Sequence, residues 1–300
     1  MLVGIDENGL GPILGPLLVT GVGARVTESA RRSVTRRVRG GLAGRMGDSK
    51  RIVSFGDTAQ GEAWARALLE HVGVPCTEPH HIVKHALLDG EKVYAPLCPK
   101  RHREQCWGED DAPFEASPEM LKQARRDIRG LAARGIALTW VRSVLVCTKQ
   151  LNREARQGTT RLDVDLHAME RLIVAARDEV GSFLHVTCGK VGGYHMYDER
   201  FSILGSHLRK IVLETRAKST YLVPHVGEIS FVRDAEDHHM LVALASLVGK
   251  YLRDLVMARI VRYHQRRNAA LPSVSGYHDP ITKNFIAASA LIRKKERLPD

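Results

Sequence analysis

The chain has 300 residues, 44% of them hydrophobic and 26% charged, so it can bury a sizeable core as one large domain or two small ones. That composition excludes a disordered chain, a collagen-like repeat and a coiled-coil rod. Forty-five Lys and Arg against 34 Asp and Glu give a net charge of +11, which favours a polyanionic partner, while aromatics at 5% leave little for base stacking spread over the surface.

Met1 to Ile5 run straight into Asp6 and Glu7 without a basic region and apolar stretch, and no window approaches ~20 uncharged apolar residues, so neither a signal peptide nor a membrane partner is expected. Five scattered cysteines (Cys76, Cys98, Cys106, Cys147, Cys188) read as reduced thiols of a cytoplasmic protein.

In chain order, Leu2 to Ile5 is a short apolar run ending in two acids, and Ile13 to Val22 is a second run of strand length. The glycine-rich segment between them predicts a β-hairpin with its acids at the turn. Arg31, Arg32, Arg36, Arg37 and Arg39 form a basic cluster, and the glycines from 40 to 47 precede a helix expected over 56–72. Six of the twelve prolines fall between residues 73 and 135, and residues 74–137 read as an insertion or small subdomain. Strands are expected over 137–147, 182–188, 210–215 and 228–233, and helices over 163–180 and 237–262. The pattern is an α/β fold around a mixed sheet.

Several residue sets could carry chemistry. Adjacent carboxylates at a strand end suit a hard cation such as Mg²⁺, and Asp6-Glu7 provides them. Cys98, His102 and Cys106 are spaced by four, with Cys76, His80 and His81 upstream, a set from which zinc would need four ligands. His238 and His239 could move protons near neutral pH. Further basic clusters, Arg259 to Arg267 and Arg293 to Arg297, suit sequence-independent phosphate binding.

Gly4-Ile5-Asp6-Glu7-Asn8-Gly9-Leu10-Gly11-Pro12 followed by Gly15-Pro16 resembles the N-terminal signature of ribonuclease HII. Asp48-Ser49-Lys50, the helix Ala243 to Asp254 and Ser275-Gly276-Tyr277-His278 resemble three further motifs of that family, in its order. The resemblance implies a ribonuclease H-like fold: a mixed central sheet flanked by helices, formed by residues 1–73 and 138–300 with a helical C-terminal part from about 237. It also implies metal-dependent endonucleolytic cleavage of the RNA strand of RNA–DNA hybrids, with Mg²⁺ or Mn²⁺; no obligate protein partner is evident in the sequence. Asp6 and Glu7 match two of the family's four carboxylates. The last falls on Glu236 by ungapped alignment or on Asp237 by a one-residue shift, the latter favoured because the family uses Asp. Gly9, Leu10 and Gly11 match the segment that lines the ribose, Ser49 and Lys50 a phosphate contact, and Tyr277 the tyrosine that meets the sugar. The remaining carboxylate position holds Gly189, which has no ligand atom. That departure supports an alternative, a catalytically impaired protein that binds hybrid or duplex without cutting it.

Overall fold

The computed structural model describes residues 1–47, 49–89, 105 and 112–298, the side chain of Lys50 excepted. Its strands are β1 (Leu2–Asn8), β2 (Leu17–Val26), β3 (Ile136–Val146), β4 (Leu184–Gly189), β5 (Lys210–Glu214), β6 (Lys218–Val223) and β7 (Gly227–Val232). They form one mixed sheet in the order β3-β2-β1-β4-β7-β6-β5. The three central strands β1, β4 and β7 run parallel, and the outer pairings are antiparallel.

The helices are α1 (Glu28–Val34), α2 (Ala43–Met46), α3 (Ser49–Ile52), α4 (Ala59–His71), α5 (Pro79–Ala86), α6 (Pro118–Ala133), α7 (Thr148–Arg156) and α8 (Arg161–Val180), followed by α9 (Ala235–His238), α10 (Met240–Gln265), α11 (Pro280–Ala288) and α12 (Ala290–Glu296). Local chemistry fixes the ends of α8: Thr160 Oγ1 accepts from Asp163 N at 3.1 Å, and Gly181 closes the helix in the left-handed conformation, φ +67°.

Strand alternation divides the apolar residues between two cores. Val3, Ile5, Leu17 and Val19 face α8, whose Leu166, Met169 and Leu172 cover them. Leu2, Leu18 and Val22 face the opposite way, toward α10, α4 and α6. Helix α10 lies against β1 because two glycines let it approach. A Cβ at Gly4 would clash with the backbone of Leu241 and Val242, and one on Gly249 would stand 2.6 Å from Asn8 Nδ2 and 2.8 Å from Thr20 Oγ1.

The α/β architecture with a mixed sheet flanked by helices is the expected one, with several corrections. Asp6 and Glu7 are paired within β1, opposite Thr20 and Val19 of β2, and are not turn residues. Strand β6 was not expected, since Lys218-Ser219-Thr220 breaks its apolar pattern. The predicted long helix is broken at His239 into α9 and α10. Among the described residues the stretch 74–137 does not stand apart: Ile82 and Val83 of α5 and Leu121, Ala124 and Ile128 of α6 join the core formed by α4 and α10, and β3 begins inside its boundary.

Candidate active site

The carboxyl ends of β1, β4 and β7 open on one cleft of about 380 Å³, the place where parallel strands of α/β sheets present ligand-binding groups. From β1 come Asp6, buried, and Glu7, half-buried. From β4 comes Gly189, whose Cβ, if present, would stand 2.9 Å from Asp6 Oδ1 and 3.3 Å from Glu7 Oε2. Beyond β7, Asp234 takes a left-handed conformation (φ +52°) and turns the chain into α9, bringing Glu236 to the cleft.

The opposite wall is the loop from Gly9 to Pro16. Gly9 has φ +102°, and a side chain there would strike Pro16 O and Arg253 Nε, so the tight path past Leu10 and Gly11 requires glycine. This loop is tied to the Ser275–Tyr277 segment. Ile13 N and Leu14 N donate to Gly276 O at 2.9 and 3.1 Å. The buried guanidinium of Arg253 donates to Leu14 O at 3.2 Å and, from two nitrogens, to Ser275 O at 3.1 Å. Its Cζ lies 5.2 Å from the ring centre of Tyr277, which is half exposed at the cleft mouth. Ser49 lines the floor and is within 3.0 Å of Ser246 Oγ on α10. Lys190, Arg233 and Lys250 bring positive charge to the rim.

No protein-family model matches the chain, and no curated protein matches it. Solved structures that align with it include the PCNA:RNase HII complex from Archaeoglobus fulgidus, at 16% identity and TM-score 0.40 over 100% of this chain and 91% of that one. Bst-RNase HIII in complex with Mn²⁺ aligns at 15% identity and TM-score 0.44, over 98% of this chain and 62% of that one. The ribonuclease H2 from Pyrococcus horikoshii OT3 aligns at 14% identity and TM-score 0.38, over 99% and 90%. Likeness at this level assigns no residue a role, which leaves the cleft's own chemistry as the guide to function.

The cleft gathers Asp6, Glu7, Glu236, Gly9, Leu10, Gly11, Ser49 and Tyr277 from among the residues singled out in the sequence. It does not gather Asp237. That carboxylate points away to Arg37, 3.6 Å distant, so the expected preference for Asp237 over Glu236 is reversed: the turn of α9 aims residue 236 inward and 237 outward. The side chain of Lys50 and residues Cys98, His102 and Cys106 lie outside the described residues. Of the upstream zinc candidates, His80 and His81 cluster with Glu78, and Cys76 is buried. His239 is buried, and its pKa is pushed down to about 4 by that burial, so it stays neutral near pH 7. The basic clusters divide: Arg259 is buried and Arg267 pairs with Glu296 at 3.1 Å, whereas Arg36, Arg37 and Arg39 line an exposed depression with Arg134.

Sequence reasoning missed two residues. Arg253 closes the motif helix but carried no assigned role. Asp165, on α8, is fully buried beside the Asp6 charge, and burial together with that charge holds its carboxyl well above the usual carboxylate range.

The donor set suits a hard divalent cation. Asp6, Glu7 and Glu236 offer carboxylate oxygens, and the nearby Cys188 is buried among apolar side chains of the α8 core with its thiol pKa raised by desolvation. Asp6, Glu7 and Glu236 are the cleft residues that could hold a divalent ion.

Proposed function

We propose that this protein is a metal-dependent nuclease that cleaves the RNA strand of RNA–DNA hybrids, as the ribonuclease HII resemblance implies. The observation that carries the reading is that Asp6, Glu7 and Glu236 line one cleft together with the Gly9–Gly11 loop and Tyr277. Bound divalent ions would supply a nucleophilic water and charge stabilisation for phosphodiester hydrolysis. The backbone of Gly9, Leu10 and Gly11 contacts the ribose, where the 2′-hydroxyl distinguishes RNA from DNA. Tyr277 packs on the adjoining sugar, held in place by Arg253. Ser49 and Lys50 contact the flanking phosphate, and Arg36, Arg37, Arg39 and Arg134 extend the phosphate track.

The test is cleavage of duplexes containing one or several ribonucleotides, in Mg²⁺ and then Mn²⁺, by wild type and Asp6→Asn. Cleavage by wild type that Asp6→Asn abolishes supports the nuclease. Gly189 favours a second reading, a protein that binds hybrid without cutting. Equal, salt-dependent binding by both proteins with no cleavage by either supports that one.

A further inference from the structure

Among the described residues outside the cleft, one group of ligand-type side chains stands close enough together to hold an ion. Glu78, His80 and His81, where the chain enters α5, each offer one ligand atom, and these atoms lie within 4.8 Å of one another. None of the three lines the cleft. Local chemistry builds the group. Glu78 is extended, Pro79 sets the first helical position, and His81 N donates to Glu78 O at 3.0 Å, so both histidines fall in the first turn within reach of the acid.

The atoms are spaced as ligands rather than as a satisfied ion pair. His80 Nδ1 lies 3.1 Å from Glu78 Oε2, yet it has no aligned hydrogen-bond partner among the described residues. A histidine nitrogen and a carboxylate oxygen bound tetrahedrally to zinc at about 2.1 Å stand about 3.4 Å apart, so this pair is already near the separation that a shared ion imposes. The His81 ring centre is 4.3 Å from that of His80, and Thr77 Oγ1, 2.9 Å from His81 Nδ1, orients the ring as an outer contact does for a ligating imidazole. The side chains of Glu78 and His80 are 61% and 20% exposed, so an ion can enter from the acid's side without unfolding and keep a water.

Two imidazoles and a carboxylate suit a borderline transition-metal ion, unlike the all-carboxylate set of the cleft. Cys76 brings no thiolate, since it is buried, its Sγ donates to Val74 O at 3.7 Å, and burial pushes the thiol up to about 11. We infer that Glu78, His80 and His81 form a zinc site separate from the cleft, with three protein ligands and water in the fourth position. The positive end of the α5 dipole opposes a cation there, and the charge of Glu78 offsets it. Zinc bound at this turn clasps the start of α5, whose Ile82 and Val83 belong to the core, and so stabilises the folded chain.

Competition between the metal-free full chain and a zinc-binding dye, with thermal unfolding in the same buffers, tests it. Asp6→Asn, its cleft impaired, should still take up one Zn²⁺ and melt at a higher temperature with it. Glu78→Gln, His80→Gln or His81→Gln, each added to that background, should weaken Zn²⁺ binding at least tenfold and lose most of the melting shift. Glu78 is exposed, so Glu78→Gln reads the site even where a histidine variant folds poorly. Zinc uptake that Asp6→Asn abolishes and the three substitutions leave intact places the ion in the cleft and overturns the inference. Co²⁺ in place of Zn²⁺ reports the ligand type: a thiolate charge-transfer band, lost in Cys98→Ser or Cys106→Ser, assigns the ion to the cysteines and also overturns it. So does an Asp6→Asn protein that binds no zinc.

Discussion

The carboxylate of Asp6 lies 2.9 Å from the point where a side chain on residue 189 would begin. Gly189 is therefore more than a lost ligand; its lack of a Cβ leaves room in which the Asp6 and Glu7 carboxylates settle. Gly189→Ala is expected to displace both and lower Mn²⁺ affinity about tenfold, the scale of a disturbed ligand support. Titration calorimetry reads this directly, and an unchanged affinity would show that the two acids have freedom to move.

Glu236 and Asp237 are neighbours with opposite surroundings, one in the cleft and one beside Arg37. Glu236→Gln should abolish cleavage or cut it at least a hundredfold. Asp237→Asn, which gives up only an exposed ion pair, should stay within about twofold in rate and ~0.5 kcal/mol in stability. Equal losses in the two variants would mean that the site uses both acids.

Arg253 holds two loops by donating to the carbonyls of Leu14 and Ser275. Arg253→Met should cost about 3 kcal/mol of stability, because bonds from a charged donor are lost inside the protein. Hybrid affinity should fall with it, since Gly9–Gly11 and Tyr277 lose their common anchor. Arg253→Lys, a point charge without a fork, should recover only part of either quantity. Denaturant unfolding and filter binding measure the two effects separately.

Two buried groups make the pH dependence of stability a difference of opposing effects. Burial raises the Asp254 pKa from 3.8 to about 6, so the folded protein keeps a proton that the unfolded chain has released, and stability falls as pH rises from about 4 to 6. His239 has its pKa lowered from 6.5 to about 4, so the unfolded chain takes up a proton first and stability falls as pH drops through that window. Each effect amounts to about 3 kcal/mol, and in wild type they nearly cancel. Asp254→Asn should therefore expose the His239 effect as a loss of stability toward pH 4, and His239→Gln should expose the opposite slope. Urea unfolding at pH 4, 5, 6 and 7 shows whether the slopes separate.

Much of the cleft was legible in the sequence because its residues lie in short motifs at strand and helix ends. Gly4 through Pro16 and Ser275 through Tyr277 combine φ-demanding glycines with acids and an aromatic, and the fold brings them together as those motifs suggest. Residue 236 against 237 was decided by something no residue type carries, the left-handed turn at Asp234 that sets which side of α9 faces inward. Asp165 left a trace that went unread. It occupies an apolar stripe of α8, in line with Met169, Leu172 and Ala176, where an acid has no reason to sit unless something within the protein needs it. Strand β6 was hidden because Ser219 and Thr220 face inward and find polar partners, Thr220 with Ser230 at 3.0 Å, so no apolar alternation marks the strand.

The seating of α10 on β1 through Gly4 and Gly249 has a consequence for how this chain can change. Helix and sheet meet at two tight notches, Gly4 against the backbone of Leu241 and Val242 and Gly249 against the side chains of Asn8 and Thr20, which resist sliding or tilting of one over the other. A methyl group added at either notch, on the far side of the sheet from α8 and touching no carboxylate, would lever the helix outward. The short turn that carries Glu236 would then swing away from Asp6, so the chemistry of the cleft is guarded by two positions that never face a substrate.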